Sequence, residues 1–320
     1  MNQPSVDNPS QAGHIPVLLD ESIAALNVRD GGIFLDGTFG GGGHSRAILA
    51  AGGIDTRLVA VDADGDAIAR ARELQRSLAR LDRMVILHTN LRDLASALDR
   101  AGIESIDGAL LDLGLSSYQL DTPNRGFSFR FDAPLDMRFD QGTSPSAADL
   151  LATLPEQDLA DVLYTYGEER KSRRIASAIM NAREEGREWT TGSLAELVER
   201  TIGRKPGTGI HPATRTFQAL RIAVNGELDA LPAALEAAVD RLAPGGRLVV
   251  ISFHSLEDRI VKRFIADEGR SCICPPFQPV CTCDVAPRLR KIGKATRPSE
   301  RESGTNIRSR SSIMRVAERC

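Results

Sequence analysis

Ile33-Phe34-Leu35-Asp36-Gly37-Thr38-Phe39-Gly40-Gly41-Gly42-Gly43-His44, running on into Ser45-Arg46-Ala47-Ile48-Leu49-Ala50, is the stretch from which the fold is read. A short apolar run closes on a carboxylate, four consecutive glycines follow, and a helix-forming segment comes next, which spells strand, tight loop, helix. Glycine is needed where backbone takes positive φ or must approach a ligand with no Cβ in the way, and the helix start offers unpaired N–H groups. A glycine loop after a strand is also an ordinary turn, so the motif alone does not define a site.

The next strand, Arg57-Leu58-Val59-Ala60-Val61-Asp62, ends in a carboxylate 22 positions after Gly40. In doubly wound folds an acidic residue about that far on accepts hydrogen bonds from ribose hydroxyls. Two ligands fit, a dinucleotide or S-adenosylmethionine. A dinucleotide calls for G-x-G-x-x-G and a helix N-terminus open to pyrophosphate, whereas the spacing here is D-x-T-x-G-G-G-G-H. Asp36 stands where an anionic pyrophosphate would pass and suits a cationic sulfonium or ammonium better, which favours the methyl donor. No Gly-Lys-Ser/Thr follows the glycines, so a P-loop is excluded.

The alternation continues outward. Met84–His88 reads as a third strand and Ile106–Asp112 as a fourth, again closing on a carboxylate; helices are expected over Asp20–Leu26, Ser45–Ala51, Asp64–Leu81 and Leu91–Arg100. A fifth strand is expected at Gly246–Phe253 after the turn Ala243-Pro244-Gly245-Gly246. Roughly 130 residues separate strands four and five, far more than a crossover needs, so a helical insert is expected there. Its helices are read at Ser146–Leu151, Glu156–Tyr166, Glu168–Arg183 and Ser193–Ile202, and two more, Ala213–Asn225 and Glu227–Leu242, return to the sheet. Ser255–Asp267 reads as an amphipathic helix with a Ser255/Asp258 capping box, and Ser312–Val316 as a last edge strand. The fold class is α/β, a doubly wound sheet: 1–13 is a disordered lead-in, 14–124 and 212–320 form the cofactor-binding domain, and 125–211 is the mostly helical inserted domain for substrate.

The whole chain sets bounds. With 320 residues and 42% apolar content it can bury a full core, and its net charge of −3 neither demands nor forbids a nucleic-acid partner. No run of apolar residues is long enough for a membrane span, and no apolar signal core opens the chain, so a cytoplasmic location is expected. Five cysteines, an odd number with four close together, do not form a secreted disulfide framework.

Several stretches together resemble one known family, the bacterial 16S rRNA cytosine-N4 methyltransferases called RsmH or MraW. They are Asp36–Gly40 with Gly42–Ser45, Leu111–Gly114 with Ser116-Ser117, Arg125–Phe129, Pro134–Arg138, Tyr166–Arg170, His211–Ala219 and Ser252–Arg259. The resemblance runs from about His14 to Glu318 in the same order. It implies a class I, Rossmann-like S-adenosylmethionine-dependent methyltransferase acting on N4 of a cytosine near the decoding centre. Its partner would be 16S rRNA or the small ribosomal subunit, with no membrane and with a homodimer left open. Carried across, the donor contacts are Gly42, Gly43, His44, Asp62, Leu91, Asp112 and Gln119. Departures are Gly41 where some relatives carry Arg, Leu91 where an aromatic occurs, and Tyr118 where Pro is seen.

An exocyclic amine is a poor nucleophile because its lone pair is delocalised into the ring, so an acceptor must draw it toward sp³. Asp112 is the candidate catalytic residue, holding the donor's amino-acid end, the target amine, or both. The Asp/Asn/Ser-Pro-Pro-Tyr signature of other amino-methyltransferases is absent, since the chain reads Asp112-Leu113-Gly114-Leu115. Candidate substrate contacts are Arg125, Phe127, Arg138, Arg215 and His254. Arg125, Arg130 and Arg138, interleaved with Phe127, Phe129, Phe131 and Phe139, make the densest aromatic-plus-basic stretch of the chain, of the kind that holds single-stranded RNA, although its phenylalanines equally suit a core-anchored loop. Arg221, Lys205 and a tail from Ala286 with ten Lys/Arg against three Glu are further phosphate candidates. Cys272-x-Cys274 and Cys281-x-Cys283 are candidate zinc ligands, or reduced thiols in a loop.

Overall fold

The computed structural model describes all residues except 1–15, 143–144, 205–208, 210, 276–277, 279 and 281. The lead-in, Lys205 and Cys281 therefore lie outside the described residues. The elements run α1 (Leu19–Leu26), β1 (Ile33–Asp36), α2 (Gly43–Ala51), β2 (Arg57–Asp62), α3 (Gly65–Ser77), β3 (Met84–His88), α4 (Leu94–Arg100), β4 (Ile106–Asp112) and α5 (Ser117–Asp121). The helical stretch follows as α6 (Ala147–Thr153), α7 (Glu156–Gly167), α8 (Ser172–Glu184), α9 (Thr191–Ile202), α10 (Thr214–Asn225) and α11 (Glu227–Arg241). Then come β5 (Leu242–Ser252), α12 (Ser255–Glu268), β6 (Leu289–Thr296), α13 (Glu300–Thr305) and β7 (Ile313–Arg319).

The seven strands form one sheet in the order β3-β2-β1-β4-β5-β7-β6, with β1 to β5 parallel and the last two strands antiparallel. This is the doubly wound α/β fold that the strand–loop–helix reading predicts. The strand order reverses between the parallel neighbours β1 and β4, and ligands in such sheets sit outside the strand C-termini at that point. Because side chains alternate, Phe34 packs on one face with Leu58, Leu110 and Ile251, and Leu35 on the other with Val59, Leu111 and Val250. Helices α1, α2 and α3 cover the first face, and α4, α11 and α12 the second.

A second core lies in the helical stretch, where Leu135, Met137, Leu151, Leu163, Ile179 and Val198 are fully buried. Phe217, Ala219, Leu220 and Val224 of α10 belong to it. The boundary drawn after residue 211 thus falls one helix too early, because the apolar face of α10 turns toward α7 rather than the sheet.

Several boundaries differ from the sequence reading, each for a local reason. The Pro244-Gly245 turn does not precede β5 but sits inside it, as an irregularity between the Ile106–Leu242 and Gly108–Arg247 pairings. Glu168 takes a left-handed φ of 49° and caps α7, so α8 starts at Ser172 instead of Glu168. The chain over Leu91–Asp93 is a 3-10 turn before α4. The capping box of α12 is His254 with Glu257, one residue ahead of the expected Ser255 and Asp258; Asp258 instead binds Arg315 at 2.6 Å. The strand at 313–319 is not an edge strand: it lies between β5 and β6, and β6 takes the edge.

Candidate active site

The glycine turn is fastened at both ends by carboxylates. Asp36, almost wholly buried, accepts from the Thr38 N–H at 3.2 Å and the Ser45 hydroxyl at 2.6 Å, and burial raises its pKa. Asp62 accepts from the Gly40 N–H at 2.8 Å and the Asp64 N–H at 2.9 Å. Burial outweighs those two donors and pushes its carboxyl up to about 6. The Asp112 N–H donates to the Thr38 hydroxyl at 2.7 Å, tying β4 to the same turn. Gly42 holds φ 75°, and a Cβ there would come within 2.5 Å of the Phe39 ring, so the turn into α2 requires glycine.

Above these strand ends lies a cavity of about 1010 Å³. Gly43, His44, Asp62, Leu91, Asp112 and Gln119 line it, whereas Gly42 stands behind the lining. His44 is buried, with Nε2 3.5 Å from Asp112 Oδ2. Burial alone would lower its pKa, but the carboxylates of Asp112 and Asp36 reverse the sign and raise it. Among the described residues Asp112 Oδ1 and both His44 ring nitrogens are buried without a hydrogen-bond partner. A buried acceptor left in that state costs on the order of 1–3 kcal/mol, so the atom is set to receive a donor from a ligand. Gln119 is built in: its amide donates to Asp64 at 2.8 Å and its oxygen accepts from the Ser116 N–H at 3.0 Å.

The substrate candidates fall elsewhere. Arg125 is buried and turned inward, donating to Asp64 (2.9 Å), Asp66 (3.2 Å) and the carbonyls of Arg138 and Phe139 (2.9 and 3.0 Å). It pins the 123–139 loop to the start of α3 and is not placed to meet phosphate. Phe127 stacks on Phe139 with centroids 5.7 Å apart in the helical core, and Phe129 packs on His211 and Phe217. Arg138 is clasped by Asp136 through two contacts of 2.9 Å. Arg215 is exposed and reaches the Glu168 carbonyl at 3.3 Å. His254 caps α12, with Nε2 3.1 Å from Glu257. None of these five lines the cavity.

Other residues do, and sequence reasoning passed over them. Glu227, Asn225, Glu257 and Phe253 close the far side. Glu227 is bound by Arg221 through two contacts of 2.8 Å, and Glu257 accepts from the Phe253 N–H at 2.8 Å. Arg221 is therefore committed to this ion pair, not to phosphate. At the mouth the Arg70 guanidinium lies 4.3 Å over the Tyr118 ring and donates to the Gly40 carbonyl. Phe253 and Glu257 carried a signal, through their place in Ser252–Arg259; Glu227 and Asn225 reach the cavity because α10 and α11 meet there. Six carboxylates, Asp62, Glu73, Asp112, Asp121, Glu227 and Glu257, line a space that favours a cationic ligand with donor groups. That donor set fits a sulfonium bearing an ammonium group and a ribose.

The model of the MraW methylase family matches residues 11–320. The chain is 50% identical to a ribosomal RNA small subunit methyltransferase H of Azoarcus sp., over 97% of this chain and 98% of that one. It is 52% identical to the protein of that name from Aromatoleum aromaticum over 96% of both chains, and 49% identical to that of Thermomicrobium roseum over 98% and 96%.

Proposed function

The chain belongs to the MraW methylase family, and from that premise we propose that it methylates the exocyclic N4 amine of a cytosine near the decoding centre of 16S rRNA. The methyl donor is S-adenosylmethionine, which when bound supplies an electrophilic methyl group on a sulfonium. The chain's own residues must hold that donor, present the amine and accept its proton. Asp62 offers its remaining lone pairs to ribose hydroxyls, Leu91 packs the base, and Asp112 supplies negative charge for the cationic end.

The single observation that carries the reading is the unpartnered Asp112 Oδ1, buried in the cavity wall. A carboxylate is the acceptor that suits a cytosine N4 amine, and drawing one N–H toward Oδ1 returns lone-pair density to nitrogen. His44 Nε2 lies 3.5 Å from Asp112 Oδ2, and the Asp112 and Asp36 carboxylates, outweighing burial, raise the pKa of its ring beside that acceptor.

The test is transfer of labelled methyl groups to small subunits from a strain lacking the protein, in parallel with free 16S rRNA, followed by nuclease digestion and mass spectrometry. N4-methylcytidine at one decoding-centre position is the expected product. Label on a ring carbon, on ribose or on no RNA at all would overturn the assignment.

A further inference from the structure

Far from the cavity, the chain between α12 and β6 makes a long excursion over residues 270–287. Its base is closed by the Arg288 N–H on the Glu268 carbonyl at 2.8 Å and by the Arg288 side chain on Glu236, Asp240 and Glu268. No described residue of the excursion is buried, and Ile273 and Val280 are 65% and 70% exposed. Its described residues form no helix or strand. A loop of this length whose described residues bury no apolar side chain needs some other source of order.

Among its described residues three thiols converge. The Sγ atoms of Cys272, Cys274 and Cys283 all lie within 4.8 Å of one another, and those of Cys272 and Cys283 are 3.6 Å apart, well beyond a disulfide bond. Thiolates around a tetrahedral zinc at about 2.3 Å sit about 3.8 Å apart, so the trio is spaced for one ion. The Ile273 N–H points at Cys283 Sγ and the Cys274 N–H at Cys272 Sγ, each at 3.4 Å, the donors that stabilise metal-bound thiolate. We propose that Cys272, Cys274 and Cys283 bind a soft divalent cation of the zinc class. Cys281 is a fourth thiol nearby in sequence and lies outside the described residues; the proposal stands on the other three.

The location gives the ion its role. The cavity opens at the Ser252 end of β5, whereas the loop enters β6 at Leu289, which pairs with Arg319, next to the Glu318 that pairs with Arg247, the β5 residue opposite Gly108 near the start of β4. The cluster is thus at the opposite end of the sheet from the methyl-transfer site. The ion orders a surface loop and takes no part in the chemistry.

Full-length protein purified under reductant without chelator should contain about one zinc per chain. Metal-stripped protein titrated with cobalt(II) should show the intense visible absorption of tetrahedral cobalt thiolate. Cys272→Ser and Cys283→Ser should lose both signals, and Cys320→Ser, whose thiol is outside the cluster, should keep them. S-adenosylmethionine binding should be unchanged in all three, which shows that the variants are folded. Protein without metal and without cobalt thiolate absorption, absorption that survives both substitutions, an iron–sulfur chromophore, or a Cys272–Cys283 disulfide trapped by alkylation in fresh lysate would each overturn the proposal.

Discussion

At the scale of single residues, Asp62 links proton and ligand. Its folded pKa of about 6 lies above the ordinary 3.8, so its contribution to stability is full below about 3.8 and is lost as pH rises through about 6. Ribose hydroxyls donate to the ionised form. Donor binding just below pH 6 should therefore release protons, and affinity should fall as pH is lowered through that range. Calorimetry in buffers of differing ionisation enthalpy measures both, and Asp62→Asn should remove the proton release while weakening binding about 10- to 100-fold, as expected for a charged hydrogen bond worth about 1.5–3 kcal/mol. Asp112→Asn keeps the shape and loses the charge; turnover should drop by about 10²-fold or more. If donor affinity holds while kcat falls, Oδ1 serves the amine; if both fall, it also holds the donor. Arg125→Met should cost about 3–5 kcal/mol in urea unfolding, because it strands the buried Asp64 carboxylate. A phosphate ligand would instead leave stability alone and weaken RNA binding.

Secondary elements were legible where a pattern repeats and illegible where two elements meet. Helical periodicity located α6, α7 and α9, and apolar runs bounded by carboxylates located β1, β2 and β4. Caps were missed by one residue at α12 because His254 and Ser255 both offer an acceptor, and only backbone angles choose between them. The contact between α7 and α10 is another matter of meeting. A Cβ on Gly167 would come within 2.6 Å of the Arg215 carbonyl, so Gly167→Ala should push the helices apart and cost about 1–3 kcal/mol, read as a lowered unfolding midpoint. Since α10 ends at Asn225 on the cavity wall, the same variant should impair methyl transfer more than donor binding.

Over the whole molecule, the basic tail divides in two. Arg288, Arg290, Arg308 and Arg315 are spent on carboxylates, while Lys291, Lys294 and Arg297 lie exposed along and just past β6. Exposed lysines on an edge strand also protect it from pairing with another chain. If these three meet rRNA, replacing them with Gln should reduce the slope of log affinity against log salt by about 2, at about 0.7 per phosphate contact for single-stranded RNA. An unchanged slope would assign them to edge protection alone. Among the described residues no helix is long and apolar enough to cross a membrane.

The sequence by itself determined the sheet, the glycine turn and the carboxylates at the strand ends, because hydrophobic period, glycine and chain order are local properties and act before any contact forms. Only the tertiary structure decided that Arg125 would be a buried strut, that Glu227 and Glu257 would wall the cavity, and that the strand at 313–319 would slip inside β6. Those outcomes depend on which charges lose water together and which backbone edges remain to be paired once distant segments have packed, and linear spacing carries no record of either.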